Sequence, residues 1–229
     1  MALLFRSYIG PKSEKIDINF TDLPIYRDVN FNFLLAFARD YDKQNFLTNG
    51  IFYPYWNEYH FGPNQVNDIV GKYPNVKVFA SIGSHDDHFP FNPTDPKKWI
   101  ENAVTSLGKI IDDYDLDGID CPTMSRMSTW PWYQKYKQYI DYVGYQFYAE
   151  DDPTESVEEF LVQFKQISRV FDEQKLVAGF SSDKEEIKKL TPNVFFKGCQ
   201  KLKAENALGG ISIWSADDSK PEFENKRKA

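Results

Sequence analysis

The chain has 229 residues, 41% of them hydrophobic and 17% aromatic, so it can bury one sizeable core. Its formal net charge of -7 excludes the basic face that a nucleic-acid partner requires. No stretch approaches the ~20 apolar residues of a membrane span, and Arg6 follows the start too soon for a secretory signal. We therefore expect one cytoplasmic, monomeric domain over residues 1–229, with no nucleic-acid partner and no membrane partner.

Short β-rich apolar runs recur along the chain, and each is followed by polar residues and a helical pattern. The runs cover residues 3–9, 31–38, 76–82, 116–121, 142–148, 175–180 and 210–214. Helices are predicted to start at Pro63, Pro96 and Pro192, because the missing N–H of proline costs nothing in a first helical turn. A fourth helix after Pro153 carries an apolar stripe from Val157 to Phe171. This alternation predicts an α/β fold with a parallel sheet covered by helices.

A nucleotide-binding open sheet is a poor interpretation of this alternation, because no strand is followed by GxGxxG or a P-loop. The two cysteines, Cys121 and Cys199, are widely separated and indicate neither a disulfide framework nor a zinc site. His85, Asp86, Asp87 and His88 could in principle hold a divalent cation, but a solvated loop explains them better. We expect no metal and no cofactor.

Several segments of the chain resemble known proteins in the same order. Residues 5–10, 61–63, 76–83, 117–120, 145–147, 178–183, 198–199 and 214–219 are similar to segments of narbonin, a legume seed protein. The pieces 81–83, 117–120 and 146–148 are also similar to the plant chitinases of glycoside hydrolase family 18. This resemblance implies a (β/α) TIM-type barrel. It also implies a substrate class, the β-1,4-linked N-acetylglucosamine polymers, which the family hydrolyses with help from the substrate's own acetamido group.

The strand that carries the family's acids departs from its pattern. The family sequence is Asp-Gly-hydrophobic-Asp-hydrophobic-Asp-x-Glu, whereas residues 117–124 here are Asp-Gly-Ile-Asp-Cys-Pro-Thr-Met. Asp117 and Asp120 match, Pro122 replaces the third aspartate, and Met124 stands in place of the proton-donating glutamate. A thioether has no proton to donate, so Asp117 and Asp120 are vestigial and no catalytic residue is predicted.

The resemblance also implies sugar-binding candidates. Asp120, Gln146 and Tyr148 match positions that line the sugar subsite in chitinases, and Trp214 matches the tryptophan at its floor. Stacking and hydroxyl hydrogen bonds need no general acid, so a chitooligosaccharide or another glycan remains a candidate partner. The aromatic cluster of Phe52, Tyr53, Tyr55, Trp56 and Tyr59 could also stack on sugars, but a loop packed onto the barrel by its own aromatics is the favoured interpretation.

The middle of the chain is short for a complete barrel, which typically needs roughly 250 residues. About twenty residues separate Cys121 from Tyr142, too few for a helix, a strand and a helix. One β/α unit is therefore shortened or missing, and residues 124–133 bridge the gap. Alternatively, residues 122–125 form a rudimentary fifth strand, followed by a helix that carries Tyr133, Tyr136 and Ile140.

Three functional hypotheses follow. The first is a catalytically inactive, narbonin-like protein with a seed or vegetative storage role. The second is a chitooligosaccharide-binding, lectin-like protein or hydrolase inhibitor that keeps a cleft. The third is a glycosidase with relocated acids at strand ends, with Glu150, Asp151 and Asp183 as candidates.

Overall fold

The structure is a computed structural model that describes residues 3–11, 17–40, 48–83, 93–121, 133–135, 137–150, 152–184 and 186–218. The strands are β1 (Leu4–Ile9), β2 (Asn30–Arg39), β3 (Tyr53–Pro54), β4 (Val76–Ile82), β5 (Gly118–Asp120), β6 (Val143–Gln146), β7 (Leu176–Ser181) and β8 (Gly210–Trp214). The helices are α1 (Glu58–Phe61), α2 (Pro63–Lys72), α3 (Pro96–Tyr114), α4 (Val157–Ser168) and α5 (Pro192–Ala204). Among the described residues, 3-10 turns cover Phe20–Asp22, Lys137–Tyr139, Phe147–Ala149 and Glu186–Lys188.

The strands form one curled sheet in the order β5-β4-β2-β1-β8-β7-β6. Neighbours on this path run parallel, and β3 alone pairs antiparallel, with β2. The predicted parallel α/β barrel fold is therefore confirmed. In the described part of the chain, β5 and β6 are the two ends of the sheet. We call the gap between them the seam, and it falls where the sequence predicts a shortened unit.

Alternate side chains of the strands point to opposite layers. In β2, Phe33 packs into the layer between sheet and helices, whereas Leu34 packs into the barrel interior. The interior cluster contains Tyr8, Leu34, Ala36 and Phe37, with Phe79 and Trp214 packed against it. Because the same alternation holds along β1, Arg6 and Tyr8 point inward while Phe5 and Ile9 point outward. This places polar groups of β1 inside the barrel.

The three helices predicted to start at proline do so. α2, α3 and α5 each have proline in the first turn, and Asp95 and Thr191 cap α3 and α5 by accepting hydrogen bonds from backbone N–H groups. The helix predicted after Pro153 is α4, which begins at Val157 and is capped by Ser156 through a capping box. Among the described residues, no helix combines the length and the apolar character that crossing a membrane requires.

Candidate functional site

A cavity opens at the carboxyl ends of the strands, where the active sites of TIM-barrel enzymes lie. We call it the mouth cavity, and its volume is about 20 Å³, so it is a shallow depression open to solvent. Its described lining is Tyr8, Asp120, Cys121, Gly144, Tyr145, Gln146, Tyr148, Gly179, Ser212 and Trp214. The structure thus brings together all four predicted sugar-binding candidates, although they come from three strands and the turn after one of them.

Asp120 lies buried at one wall of the mouth cavity, and its carboxylate is held on both oxygens. Arg6 Nη2 donates to Oδ1 at 2.5 Å. Tyr8 and Ser81 hydroxyls donate to Oδ2 at 3.0 and 2.9 Å. Asp120 is the acceptor in all three hydrogen bonds, so both of its oxygens are engaged by neighbouring side chains.

The Arg6–Asp120 pair is an ion pair buried inside the barrel, with side-chain exposures of 9% and 6%. Burial by itself lowers the pKa of the Arg6 guanidinium, but Asp120 and Tyr8 outweigh it and the net shift is upward. Burial, and then the Asp120 carboxylate, raise the pKa of Tyr8 well above its ordinary value. Arg6 is therefore charged and Tyr8 is a neutral donor at physiological pH.

Trp214 is held at the mouth by aromatic packing and by its backbone. Tyr8 meets its ring edge-on at 5.2 Å, and Phe37 stacks on it at 5.7 Å. Its carbonyl accepts from the backbone N–H of Ser182 at 2.5 Å and from the Ser182 hydroxyl at 3.1 Å. The Ala36–Phe37 and Trp214–Ser215 peptide bonds are both cis. The indole is thus fixed beside the cavity instead of hanging free in solvent.

Asp117, the other matching acid, does not line the mouth cavity. Its Oδ2 accepts from the backbone N–H of Val78 at 2.9 Å, and its Oδ1 lies 3.8 Å from Lys77 Nζ. Its place is structural, since it joins β4 to the start of β5. Pro122 and Met124 lie outside the described residues, and so do residues 85–88, the sequence considered for a cation.

Of the acids considered as relocated catalysts, Glu150 and Asp183 are absent from the described lining of the mouth cavity. Glu150 accepts a hydrogen bond from the Tyr145 hydroxyl, on a side chain that packs against Phe147 in the outer layer. Asp183 follows β7, where its N–H donates to Ser181 Oγ at 3.1 Å, and it is absent from the described lining. Asp151 lies outside the described residues.

The aromatic cluster after β2 does not form one surface. Phe52 and Trp56 are buried, and they meet Trp99 and Tyr114 edge-on at 5.8 and 5.6 Å. Tyr53 and Tyr59 are exposed. The buried members favour the interpretation of this segment as a loop packed onto the barrel.

Sequence reasoning missed the three donors around Asp120. Arg6 and Tyr8 were treated as part of a matching segment, and Ser81 as part of another, without a role for their side chains. One signal was present, since a charged residue in an otherwise apolar parallel strand must find a buried partner.

Known proteins match this chain over almost its whole length. Chitinase 1 of Tulipa saxatilis subsp. bakeri is 37% identical over 261 residues, covering 95% of this chain and 82% of the tulip protein. The chain belongs to the family 18 chitinases. The family 18 chitinase of Crocus vernus superposes with a TM-score of 0.86 at 28% identity, covering 99% of this chain and 98% of the other. The catalytic domain of a family 18 chitinase from the fern Peteris ryukyuensis gives 0.85 at 29% identity, covering 98% of each chain.

No protein-family model matches the chain. The alignment with the tulip family 18 protein runs over 261 residues, whereas this chain has only 229. The tulip protein therefore contains residues that have no counterpart here. This agrees with a family 18 barrel that has lost part of its length.

Proposed function

We propose that the protein is a catalytically silent member of family 18, a chitinase-like barrel without chitinase activity. The observation that carries this proposal is the set of hydrogen bonds that the Asp120 carboxylate accepts. Of the described residues that line the mouth cavity, Asp120 is the one carboxylate, and Arg6, Tyr8 and Ser81 occupy both of its oxygens. A glycosidase must protonate the leaving oxygen, and both oxygens of this carboxylate are instead engaged as hydrogen-bond acceptors of neighbouring side chains.

The sequence supports the same proposal independently. Met124 stands where the family has its proton donor, and Pro122 stands where the family has the neighbouring aspartate. Loss of a general acid typically costs about 10²–10⁴-fold in rate. Because the supporting aspartate is missing as well, we expect hydrolysis near the uncatalysed level.

An assay of sugar release tests this proposal. The protein is incubated with N-acetylglucosamine tetramer beside an active plant family 18 chitinase, and the shorter oligomers are quantified. The proposal predicts product from the control enzyme and none above background from this protein. Turnover by this protein that disappears in Asp120→Asn would overturn it.

Binding of chitooligosaccharides without cleavage is a second candidate function. It is favoured by the side chains that meet at the mouth cavity, where Tyr148, Gln146 and Trp214 offer an aromatic surface and an amide. Sugar rings stack on aromatic faces without any general acid. Calorimetric titration with the tetramer should then give measurable affinity that Trp214→Ala abolishes and Phe196→Ala, a change at an exposed helical aromatic, leaves unchanged.

For the biological role, we propose a narbonin-like reserve protein of the cytoplasm. The resemblance to narbonin and the silent site support it, since a reserve protein needs no turnover. High abundance in seed or vegetative storage tissue, followed by loss on germination or regrowth, is the expected outcome of quantitative protein measurements. Trace expression in all such tissues would contradict it.

A further inference from the structure

A second cavity lies at the seam, next to the mouth cavity. We call it the seam cavity, and its volume is about 260 Å³. Ligand pockets typically enclose about 300–1,000 Å³, so this cavity lies just below that range and has room for a small ligand only. In the described part of the chain, it lies between β5 and β6, the two ends of the sheet. Because Arg6 points into the barrel interior and lines this cavity, the cavity reaches the interior from the seam.

The walls of the seam cavity are mostly apolar. Phe79, Ile119, Tyr142 and Phe171 contribute to its lining. Ile119 and Tyr142 are 37% and 43% exposed, so part of this apolar lining is open to solvent. Covering this surface would release water from it, so the cavity favours a ligand with an apolar body.

The inner end of the seam cavity is polar. Arg6 and Asn32 line it from β1 and β2, and they are only 7% and 4% exposed. Arg6 Nη2 is engaged by Asp120, whereas its Nε is buried without a partner in the described part of the chain. The Asn32 amide, which carries both donors and an acceptor, lines the same end. Buried polar groups normally find partners, so Arg6 Nε beside this amide is suited to a ligand.

Charge decides which ligand fits this end. The positive charge of Arg6 is already matched by Asp120 at 2.5 Å, and Asp141 is a further carboxylate in the lining. An anion would therefore gain little attraction here. The polar end suits a neutral carbonyl or hydroxyl group that accepts from Arg6 and exchanges hydrogen bonds with the Asn32 amide.

We propose that the seam cavity binds an uncharged small molecule with an apolar, preferably aromatic, body and a carbonyl or hydroxyl group at one end. The body lies between Phe79, Ile119 and Tyr142, and the polar group reaches Arg6 and Asn32. The seam cavity shares Asp120, Cys121 and Gly144 with the mouth cavity, whereas Gln146, Tyr148 and Trp214 do not belong to its described lining. Binding there does not depend on the catalytic state of the protein.

Fluorescence titration with prodan, an uncharged naphthyl ketone, tests the proposal on the full chain. We expect a saturable blue shift with one site per chain, and weaker binding of the anionic probe anilinonaphthalene sulfonate. Ile119→Trp, which adds bulk at the cavity wall, should raise the dissociation constant of prodan at least about tenfold. Ile100→Trp is the matched control, since Ile100 is 57% exposed on α3, and it should leave the affinity unchanged.

Asn32→Leu keeps the side-chain volume but removes the polar group, and we expect it to weaken prodan about threefold to tenfold. Far-UV circular dichroism and the melting temperature establish that each variant is folded. The proposal is overturned by the absence of saturable prodan binding, by tighter binding of the anionic probe, or by unchanged affinity in both Ile119→Trp and Asn32→Leu.

Discussion

The buried ion pair between Arg6 and Asp120 dominates the chemistry of individual residues in this barrel. Its two side chains come from β1 and β5, so it also joins strands far apart in the sheet. A buried pair of this kind costs desolvation on both sides, and removing one partner leaves an uncompensated charge. The pair is therefore expected to add little net stability, whereas the removal of one partner should destabilise the fold strongly.

Replacing Arg6 should destabilise the protein strongly. Arg6→Met leaves the Asp120 carboxylate buried without a cation, so we expect a loss of about 3–5 kcal/mol in the free energy of unfolding. Urea denaturation measures it. Lys77→Met is the control, because Lys77 is 62% exposed and 3.8 Å from Asp117, and it should cost less than about 1 kcal/mol. Equal losses in the two variants would contradict this account.

Alkaline pH should weaken the fold through Tyr8. Its pKa is raised in the folded state, first by burial and then by Asp120, so unfolded chains lose the proton near pH 10 while folded chains keep it. Stability is therefore fully present below about pH 10 and falls above it, by about 1.4 kcal/mol per pH unit for one proton. Urea denaturation between pH 9 and 11 should show a shallower decline in Tyr8→Phe than in the wild type.

Tyr114 changes stability in the same direction, because burial and then Glu58 raise its pKa. The difference between wild type and Tyr8→Phe isolates Tyr8 from this background. Identical slopes in the two proteins would show that Tyr8 is not protected from ionisation in the folded state.

At the level of single residues, the sequence predicts which side chains lie close together but not which hydrogen bonds they make. Asp120, Gln146, Tyr148 and Trp214 were expected near one another from family positions, and they line one cavity. The three hydrogen bonds that Asp120 accepts from Arg6, Tyr8 and Ser81 were not expected. Its donors come from strands distant in sequence, and only the parallel register of β1, β4 and β5 brings them to one point.

At the level of elements, two outer helices meet at a glycine. A Cβ atom at Gly198 on α5 would lie 2.2 Å from Cδ1 of Phe160, which is fully buried on α4. The glycine is needed for this close approach, because Phe160 has no room to move away. Helix α5 can therefore approach Phe160 of α4 this closely because position 198 carries no side chain.

Adding a methyl group at this contact should be costly. Gly198→Ala is expected to destabilise the protein by about 1–3 kcal/mol through overpacking. Gly108→Ala is the matched control, because a Cβ at this position in α3 meets nothing within 4 Å. It should be stabilising by up to about 1 kcal/mol, since alanine favours helix. Thermal or urea denaturation of both variants measures the difference, and opposite signs are the predicted result.

Elements were predicted best where a local signal is strong. Proline at the first turn fixes the starts of α2, α3 and α5, and apolar runs locate the parallel strands. Strand ends were less certain, since the run 142–148 becomes β6 only to Gln146 and then turns through Phe147–Ala149. The antiparallel strand Tyr53–Pro54 was not predicted, because two residues give no periodicity.

For the whole molecule, the family 18 barrel is retained while its catalytic strand is altered. Among the described residues the sheet ends at β5 and β6, and the chain is shorter than its alignment with the tulip chitinase. The two alternatives for closing this gap, a bridge over 124–133 or a short strand over 122–125, fall mainly outside the described residues. Along the sequence, Met124, which stands in place of the family's acid, follows β5 by only a few residues.

The most direct test of the silent-barrel account is a single-turnover assay with N-acetylglucosamine tetramer, in which the protein is in excess and products are counted by mass spectrometry. Excess protein removes any doubt about slow turnover, because one cleavage per chain is enough to be seen. The account predicts intact tetramer after prolonged incubation, in wild type and in Asp120→Asn alike. Dimer or trimer produced by the wild type and lost in Asp120→Asn would contradict it.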